Sequence, residues 1–501
     1  MNVGERRASR GRVVPGMPMG ERVMGEMSLP GVPRVQFNGG SLEGIFQLRA
    51  NGTTVRTEVL AGLTTFMVMA YIIAVNPGIL AAAGLDQRAV ATSTCLVAGV
   101  LTIAMGLYTN RAYAMAPGLG LNAIVAFSLV GAMGLTPAQA MGVVMVEGIF
   151  ITLLVVFGIR KWVMDVVPLA LSRAIAVGIG FFILFIGLRN AGVITFSPGA
   201  DATFQGFLEL SPLNTWPIFV SMIGLLVTIV LMARGVKAGI LIGILVATVV
   251  AFLVPGQVAT LPAQPLAGPD FSLLGQFDLS FFAQLGFLSA ILAIFSFALS
   301  DFFDSMGTLI GVGAEAGYLD KDGELTDSQR PLLVDSLGAI AGGAVSASSA
   351  TTYIESAAGV SVGGRTGLVS VVTGLLFLLA LPFVALVTAI PSVATAPALI
   401  VVGVLMVAVL TEREMTLPSG ATIRTGGVDF TKFEESIPVV LTMLVMPLTF
   451  NITNGIGAGF VSYVLIKVAT GKAREVHPGL YLVALAFLIY FLRWVLFGAA
   501  F

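Results

Sequence analysis

The sequence predicts an all-α membrane protein of about 14 spans, built as two seven-span halves of opposite orientation, a 7+7 inverted repeat. Apolar residues make up 57% of the 501 residues and charged residues 11%, whereas soluble proteins carry roughly 25% charged residues. Apolar runs of about 17–25 residues, the length of a membrane-spanning helix, recur along the chain. Each half also contains one short element that does not read as a regular helix. These observations together predict a polytopic transporter fold.

The first 40 residues are polar and rich in arginine, glycine and proline. They contain no apolar segment of the kind found in signal peptides. We therefore expect residues 1–40 to form a disordered basic tail in the cytoplasm. The following residues, 41–48, are predicted to form a short amphipathic helix at the membrane surface.

The predicted spans fall into two sets, with one apolar run left over. The first set is 57–83, 89–109, 114–131, 137–159, 170–190, 213–233 and 237–254. The second set is 285–314, 329–346, 351–361, 364–389, 395–411, 435–450 and 453–470. The final run, 478–498, spoils an even count and is interpreted either as a span or as an interfacial helix. An odd number of crossings per half orients the two halves oppositely, as in secondary transporters.

Lysine and arginine are distributed unevenly among the predicted loops. They occur in the links after spans 4, 6 and 12, whereas the loops 191–212 and 255–284 contain none. By the positive-inside rule, these two loops lie outside and the N-terminus lies in the cytoplasm. We expect a multi-pass protein of the cell (cytoplasmic) membrane.

The stretch 285–313 is the most informative because it carries acids at membrane depth. Asp301 and Asp304 share a helical face with Ser305 and Thr308. An ionised carboxylate in the bilayer costs at least ~2.5–3.5 kcal/mol on insertion scales, so the stripe is expected to face a cavity. Burial and a neighbouring like charge both favour the protonated carboxyl, so one of the two acids is expected to hold a proton. A hydrogen-bonded pair that merely joins spans is the alternative.

Two short elements, 113–122 and 346–355, are poor helix formers, and each precedes a short helix. Extended backbone at membrane depth survives only where it lines a cavity or is buried in protein. We expect one central cavity, suited to a neutral ligand with N–H donors, to be surrounded by four side chains: Asn122, Glu355, Asp301 and Asp304. Helix capping is the alternative for Glu355, and bridging between helices is the alternative for Asn122.

Other sequence features exclude several classes of function. Glu147 and Asp335 are further intramembrane acids, for which a structural role is favoured because neither lies at a helix break. One cysteine and one histidine exclude a disulfide and a His-rich metal site. No HExxH or phosphate-binding motif is present, so we predict neither an enzyme nor a metal site. The net charge of −1 gives no indication of a nucleic-acid partner.

Four motifs make the resemblance to a known family specific. They are TTFMVMAYIIAVNP (64–77), APGLGLNA (116–123), SDFFDSMGTLIGV (300–312) and TTYIESAAGVSVGGRTGL (351–368). In this order they resemble the AzgA-like purine permeases, proton symporters of the nucleobase–ascorbate transporter superfamily. The resemblance runs from about residue 41 to the C-terminus.

The resemblance implies proton-coupled uptake of purine nucleobases (adenine, guanine or hypoxanthine) by an elevator-like mechanism without a cofactor. It implies a homodimer in the lipid bilayer and strand-plus-half-helix structure for the third and tenth elements. It also implies a core domain (57–159 and 285–389) and a gate domain (170–254 and 395–498). The substrate-binding candidates are Glu355, Asp301, Asn122 and, as a modest hydrogen-bonding candidate, Thr308. The proton-coupling candidates are Asp304, Asp301 and Glu355.

Two other functions remain as alternatives at this stage. An exchanger of anions or other small solutes with the same 7+7 fold would use positive helix ends with few acids nearby. A membrane-embedded hydrolase would need a nucleophile with a base, or a metal site.

Overall fold

The computed structural model describes residues 42–158, 166–196, 208–265, 267–320, 325–410, 413–416, 422–425 and 428–497. The predicted basic tail, residues 1–40, lies outside this set. Eight helices of the described residues are long and apolar enough to cross a membrane, or nine if one pair bent by 63° counts as a single span. The remaining predicted spans correspond to shorter apolar helices and to the two interrupted elements.

The first half begins with the short helix predicted near residue 41 and continues through the expected spans. Its helices are α1 (Leu42–Phe46), α2 (Val55–Met69), α3 (Ile72–Leu80), α4 (Gln87–Thr109), α5 (Leu119–Ala123), α6 (Pro137–Val156), α7 (Leu169–Asn190), α8 (Trp216–Ala233) and α9 (Gly239–Leu253). The first span is interrupted between α2 and α3, at Ala70 and Tyr71. The half-helix α5 continues as a π-helix, Ile124–Ala132. The sequence pattern predicted neither feature.

The second half repeats this order. Its helices are α10 (Phe281–Leu285), α11 (Phe287–Ala316), α12 (Gln329–Ala344), α13 (Ser356–Ser361), α14 (Gly367–Leu379), α15 (Ser392–Val407), α16 (Phe433–Thr449), α17 (Ile452–Ala469) and α18 (Pro478–Phe497). A 3₁₀ segment, Leu381–Ala389, extends the span that starts with α14. The surplus apolar run is therefore a helix, α18, and it packs against α17.

The two halves meet in a short antiparallel sheet buried inside the bundle. Strand β1 (Met115–Pro117) pairs with β4 (Ala350–Thr352), with Ala116 opposite Thr351. Each strand runs directly into a half-helix, α5 or α13, which confirms the strand-plus-half-helix elements. The strands bond each other along their facing edges. Side chains bond outer backbone groups: the Met115 N–H donates to Oγ1 of Thr102 and the Thr352 N–H to Oδ1 of Asp335, as burial at membrane depth requires.

Two hairpins in the loops were not predicted from the sequence. Strands β2 (Ile194–Phe196) and β3 (Leu208–Leu210) pair in one, and β5 (Arg413–Thr416) and β6 (Thr422–Thr425) in the other. Both hairpins are short, and their strands lack the long apolar runs that identify the spans.

Helices of the two halves interleave closely. Helix α4 packs against α14, α6 against α12, and α7 against α15. Glycines permit this approach: a Cβ atom at Gly343 would lie 2.8 Å from the Met145 nitrogen, and one at Gly367 would lie 1.9 Å from the Gly106 oxygen. Small residues at such crossings are typical of membrane helix pairs. The boundaries of core and gate domains stay a prediction.

Helix α11 carries the intramembrane acids without a break. It has 30 residues, so it is about 45 Å long and exceeds the roughly 30 Å hydrocarbon core. Glycines at both ends, Gly286 and Gly317, adopt positive φ angles of 74° and 78°. Asp301 is buried in the middle of the helix, and Asp304, one turn later, is half-buried.

Candidate functional site

A narrow cleft beside α11 reaches the intramembrane acid Asp304. Its free space, about 10 Å³, admits about one water molecule. Helices α5, α7, α11 and α15 contribute its lining residues: Gly120, Leu121, Ile175, Ala176, Ile179, Ser300, Phe303, Asp304 and Met406. Asp304 is the one charged residue in this lining. A larger cleft, with about 50 Å³ of free space, lies between α6, α11 and α18, but its lining is apolar and offers a polar ligand no side-chain partner.

Polar side chains from both halves lie close to Asp304. Glu355 immediately precedes α13 and accepts a hydrogen bond at 2.6 Å from the hydroxyl of Tyr71. Asp304 and Glu355 are close enough for their charges to interact. Tyr353 is near both acids, and its hydroxyl donates to the Pro117 carbonyl at 2.5 Å. We call Asp304, Glu355 and Tyr71 the ligand group.

Asn122 lies in the half-helix α5, adjacent to the cleft residues Gly120 and Leu121. Its side chain is fully buried, and neither amide atom has a hydrogen-bond partner among the described residues. An unsatisfied buried polar group costs about 1–3 kcal/mol. This amide therefore has donor and acceptor capacity that the described protein does not use.

Asp301 points into a second polar group, which we call the acid cluster: Glu147, Asp301 and Asp335. The Ser349 hydroxyl donates to Oδ2 of Asp301 at 2.6 Å. The Ser305 hydroxyl lies 2.5 Å from Oδ2 of Asp335 and 3.4 Å from Oδ1 of Asp301, so its one proton serves the nearer acid. All three acids are buried.

Asp335 holds the short strand β4 in place. Its Oδ1 accepts hydrogen bonds from the Thr352 backbone N–H at 2.7 Å and from the Thr352 hydroxyl at 2.8 Å. The Thr351 hydroxyl lies 3.3 Å from the same oxygen. These contacts agree with the structural role predicted for Asp335.

The cleft is lined by one of the four residues that the sequence predicts around a single cavity. Asp304 lines the cleft, whereas Asn122, Asp301 and Glu355 do not belong to its lining. Glu355 lies close to Asp304. The carboxyl group of Asp301 belongs to the acid cluster. Thr308 lies on α11 one turn beyond Asp304 and is buried. The single cavity is thus replaced by one cleft with two adjoining polar groups.

Sequence reasoning missed the tyrosines of this site. Tyr71 and Tyr353 stand in two of the motifs that carry the family resemblance, but a tyrosine in an apolar span is equally typical of simple packing. Tyr71 lies where the first span is interrupted, and the sequence did not reveal that interruption. Phe303 lines the cleft that Asp304 reaches. Phe302, the preceding residue, lines the apolar cleft.

Comparison with known proteins places the chain among transporters. Residues 56–416 match the model of a family described as the permease family. The adenine permease AdeQ of Escherichia coli (strain K12) is 41% identical over 456 residues, which cover 90% of this chain and 96% of AdeQ. The guanine/hypoxanthine permease PbuG of Bacillus subtilis (strain 168) is 37% identical over 459 residues, covering 89% of this chain and 98% of PbuG.

A solved structure confirms the fold at much lower sequence identity. The transmembrane domain of the cyanobacterial bicarbonate transporter BicA superposes with a TM-score of 0.59 at 16% identity, covering 81% of this chain and 97% of that domain. Identity this low establishes shared architecture alone. It supports the predicted 7+7 inverted repeat.

Proposed function

Because this chain belongs to the permease family and is a transporter rather than an enzyme, we propose that it imports purine nucleobases together with protons. The relatives named as adenine and guanine/hypoxanthine permeases support a purine substrate. The observation that carries the proposal is the ligand group: Asp304 at the cleft, backed by Glu355, which Tyr71 orients at 2.6 Å.

The chemistry of these side chains suits a purine. A neutral base presents N–H donors and ring-nitrogen acceptors on its edges. Carboxylates at Asp304 and Glu355 accept from N–H groups, and the unpaired amide of Asn122 can both donate and accept. Phe303, in the lining of the cleft, offers a ring face for a planar base. Asp301 and Thr308 are assigned secondary substrate contacts.

We assign binding of the transported proton to three acids: Asp301, Asp304 and Glu355. None of the ion pairs between described residues includes Asp301, Asp304 or Glu355. A buried carboxylate without a cation is costly, so proton binding lowers the free energy of the loaded site. Protonation from the outside favours loading of the purine, and release of the proton inside favours its unloading. In this scheme Asp304 has the most direct access to the cleft.

The position of the cleft supports movement of one domain against the other. Helices α5 and α11 belong to the proposed core domain, 57–159 and 285–389. Helices α7 and α15 belong to the proposed gate domain, 170–254 and 395–498. A substrate bound at this boundary is carried across when the core slides past the gate. We place the N-terminus in the cytoplasm, the protein in the cell membrane, and two copies in a homodimer.

An anion exchanger is the second candidate because BicA, a bicarbonate transporter, shares the fold. The ligand group argues against it, since Asp304 and Glu355 repel an anion at the cleft. Uptake of bicarbonate or chloride without uptake of purines would favour the exchanger.

The proposal is tested by uptake of radiolabelled adenine, guanine and hypoxanthine in a transport-deficient host at two external pH values. We expect the parent to accumulate at least one purine, and more strongly at the lower pH. Glu355→Gln and Asp304→Asn should lose accumulation at equal expression. Gly307→Ala is a matched control on α11, because a Cβ atom there meets nothing within 4 Å. No purine uptake by well-expressed parent protein would overturn the proposal.

A further inference from the structure

Glu147 on α6 is a buried acid that the proposed transport scheme does not use. Its side chain is fully inaccessible to solvent. No donor among the described residues bonds either carboxyl oxygen. Burying an ionised carboxylate without any donor is among the most costly arrangements in a protein. A purely structural acid at such a position normally bonds the backbone or a hydroxyl, as Asp335 does.

Asp301, on the packed helix α11, is the side chain that acts most strongly on Glu147, and Asp335 acts on it more weakly. Helix α6 packs against α11, α12, α10 and the π-helical segment. Asp301 and Asp304 come from α11, and Asp335 comes from α12. The other two elements carry no titratable side chain. Helix α11 also carries Glu315, and α12 carries Arg330, which pairs with Asp327 at the start of that helix. The charged groups that act on Glu147 are the acids Asp301 and Asp335.

Two carboxyl groups in contact can form a hydrogen bond only if one of them keeps its proton. The two partners differ in how well each tolerates a negative charge. Asp301 receives the Ser349 hydroxyl at 2.6 Å, whereas Glu147 receives no donor. A donor to a carboxylate stabilises its charged form, so the charge belongs on Asp301 and the proton on Glu147.

We propose that Glu147 stays a neutral acid whose O–H donates to Asp301, and that it thereby acts as a positioning residue for proton coupling. The inference rests on the proposed proton symport. Glu147 holds Asp301 as the anion that accepts the transported proton. No bond other than O–H is made or broken: the transported proton binds Asp301 and leaves again, while the Glu147 proton remains.

The acid cluster also has a direct path to the substrate elements. The Ser349 hydroxyl donates to Asp301, and the backbone carbonyl of Ser349 accepts a hydrogen bond at 2.9 Å from the backbone N–H of Gly118. Gly118 immediately precedes α5, the half-helix that carries Asn122. A change in the charge of Asp301 therefore acts on a residue that fixes the start of this half-helix.

The first test detects the proton on Glu147 by infrared spectroscopy and does not require transport activity. Infrared spectra of the purified parent and of Glu147→Gln are compared at neutral and alkaline pH. We expect a neutral carboxylic-acid carbonyl band in the parent that persists to alkaline pH and is missing in Glu147→Gln. An identical band in both proteins, or loss of a carboxylate band only, overturns the inference even if purine uptake is confirmed.

The second test measures how the rate of purine uptake depends on pH. The side-chain amide in Glu147→Gln can still donate to Asp301, so the pH at half-maximal uptake, the midpoint, should match that of the parent. Glu147→Leu and Glu147→Met remove the donor, so Asp301 should protonate more readily and the midpoint should move to higher pH by about one unit. If Glu147 were an ionised acid, all three substitutions would move the midpoint to lower pH. If it were merely structural, the apolar variants would lose activity without shifting the midpoint.

The two tests separate failure of this inference from failure of the proposed function. Absence of purine uptake in the parent contradicts the proposed function and leaves the infrared result to decide the state of Glu147. Normal proton-coupled uptake with an unshifted midpoint in a folded Glu147→Leu or Glu147→Met protein contradicts the inference alone.

Discussion

The hydroxyl oxygen of Tyr71 lies 2.6 Å from Oε1 of Glu355, although 284 positions separate the two residues. The bond joins the interruption in the first span of one half to the start of the half-helix in the other. It places an oriented carboxylate directly behind Asp304. Contacts between the two halves therefore build the ligand group, which neither half contains alone.

Removal of this hydroxyl should weaken purine binding. A hydrogen bond to a charged group contributes about 1.5–3 kcal/mol, so Tyr71→Phe should raise the KM for purine uptake on the order of tenfold. The measurement is initial uptake rate against purine concentration at equal expression. Tyr481→Phe is the matched control because the Tyr481 hydroxyl bonds only the Ala473 carbonyl, far along the chain at α18. An unchanged KM in Tyr71→Phe contradicts the role assigned to the bond.

Replacement of Asn122 should weaken purine binding and leave the stability of the ligand-free protein nearly unchanged. Its amide bonds nothing among the described residues, so Asn122→Ala removes an unsatisfied polar group at little cost in stability. We expect the ligand-free Tm to change little and the purine-induced rise in Tm to disappear. Thermal unfolding of purified protein with and without purine measures both. A large fall in the ligand-free Tm would show that the amide is structural.

The close packing of α6 against α12 should not tolerate a larger side chain at Gly343. Gly343→Ala places a Cβ atom 2.8 Å from the Met145 backbone nitrogen, and overpacking of this kind costs typically about 1–3 kcal/mol. We expect a lower Tm and a smaller yield of monodisperse protein. Gly307→Ala, with open space around it, should leave the Tm unchanged or raise it slightly. Equal Tm values for the two variants would contradict the packing.

A disulfide across the proposed domain boundary should block transport. A Cβ atom at Gly78 would lie 3.5 Å from Oγ1 of Thr395, between α3 of the core and α15 of the gate. The buried Cys95 is the sole cysteine, so Cys95→Ala provides a clean background. Oxidation of the Gly78→Cys/Thr395→Cys protein should stop purine uptake, and reduction should restore it. Each single-cysteine protein serves as control, and full activity of the cross-linked protein would refute movement at this boundary.

The sequence predicted those features that depend on local patterns. Apolar length identifies the spans, and the cost of a charge in hydrocarbon singles out Asp301 and Asp304. The poor helix formers before α5 and α13 identify the two interrupted elements. Each of these signals lies within a few neighbouring residues.

Features that depend on the register of packed helices could not be predicted. Ser349 and Asp301 meet across 48 positions, and no periodicity reveals which face of α11 the loop before β4 contacts. For the same reason Asp301 and Asp304, one turn apart, were assigned to one cavity although they belong to different polar groups. A structural role is predicted for Glu147 because it does not lie at a helix break, and no local pattern reveals that Asp301, on another helix, is its neighbour.

The central claim is that the intramembrane acids bind a purine together with a proton. Purified protein in proteoliposomes tests it most directly, by recording proton entry when a purine is added outside in the absence of any other gradient. We predict purine-dependent proton entry by the parent and its loss in Asp304→Asn. Purine accumulation without proton entry, unaffected by an imposed pH gradient, would contradict the account.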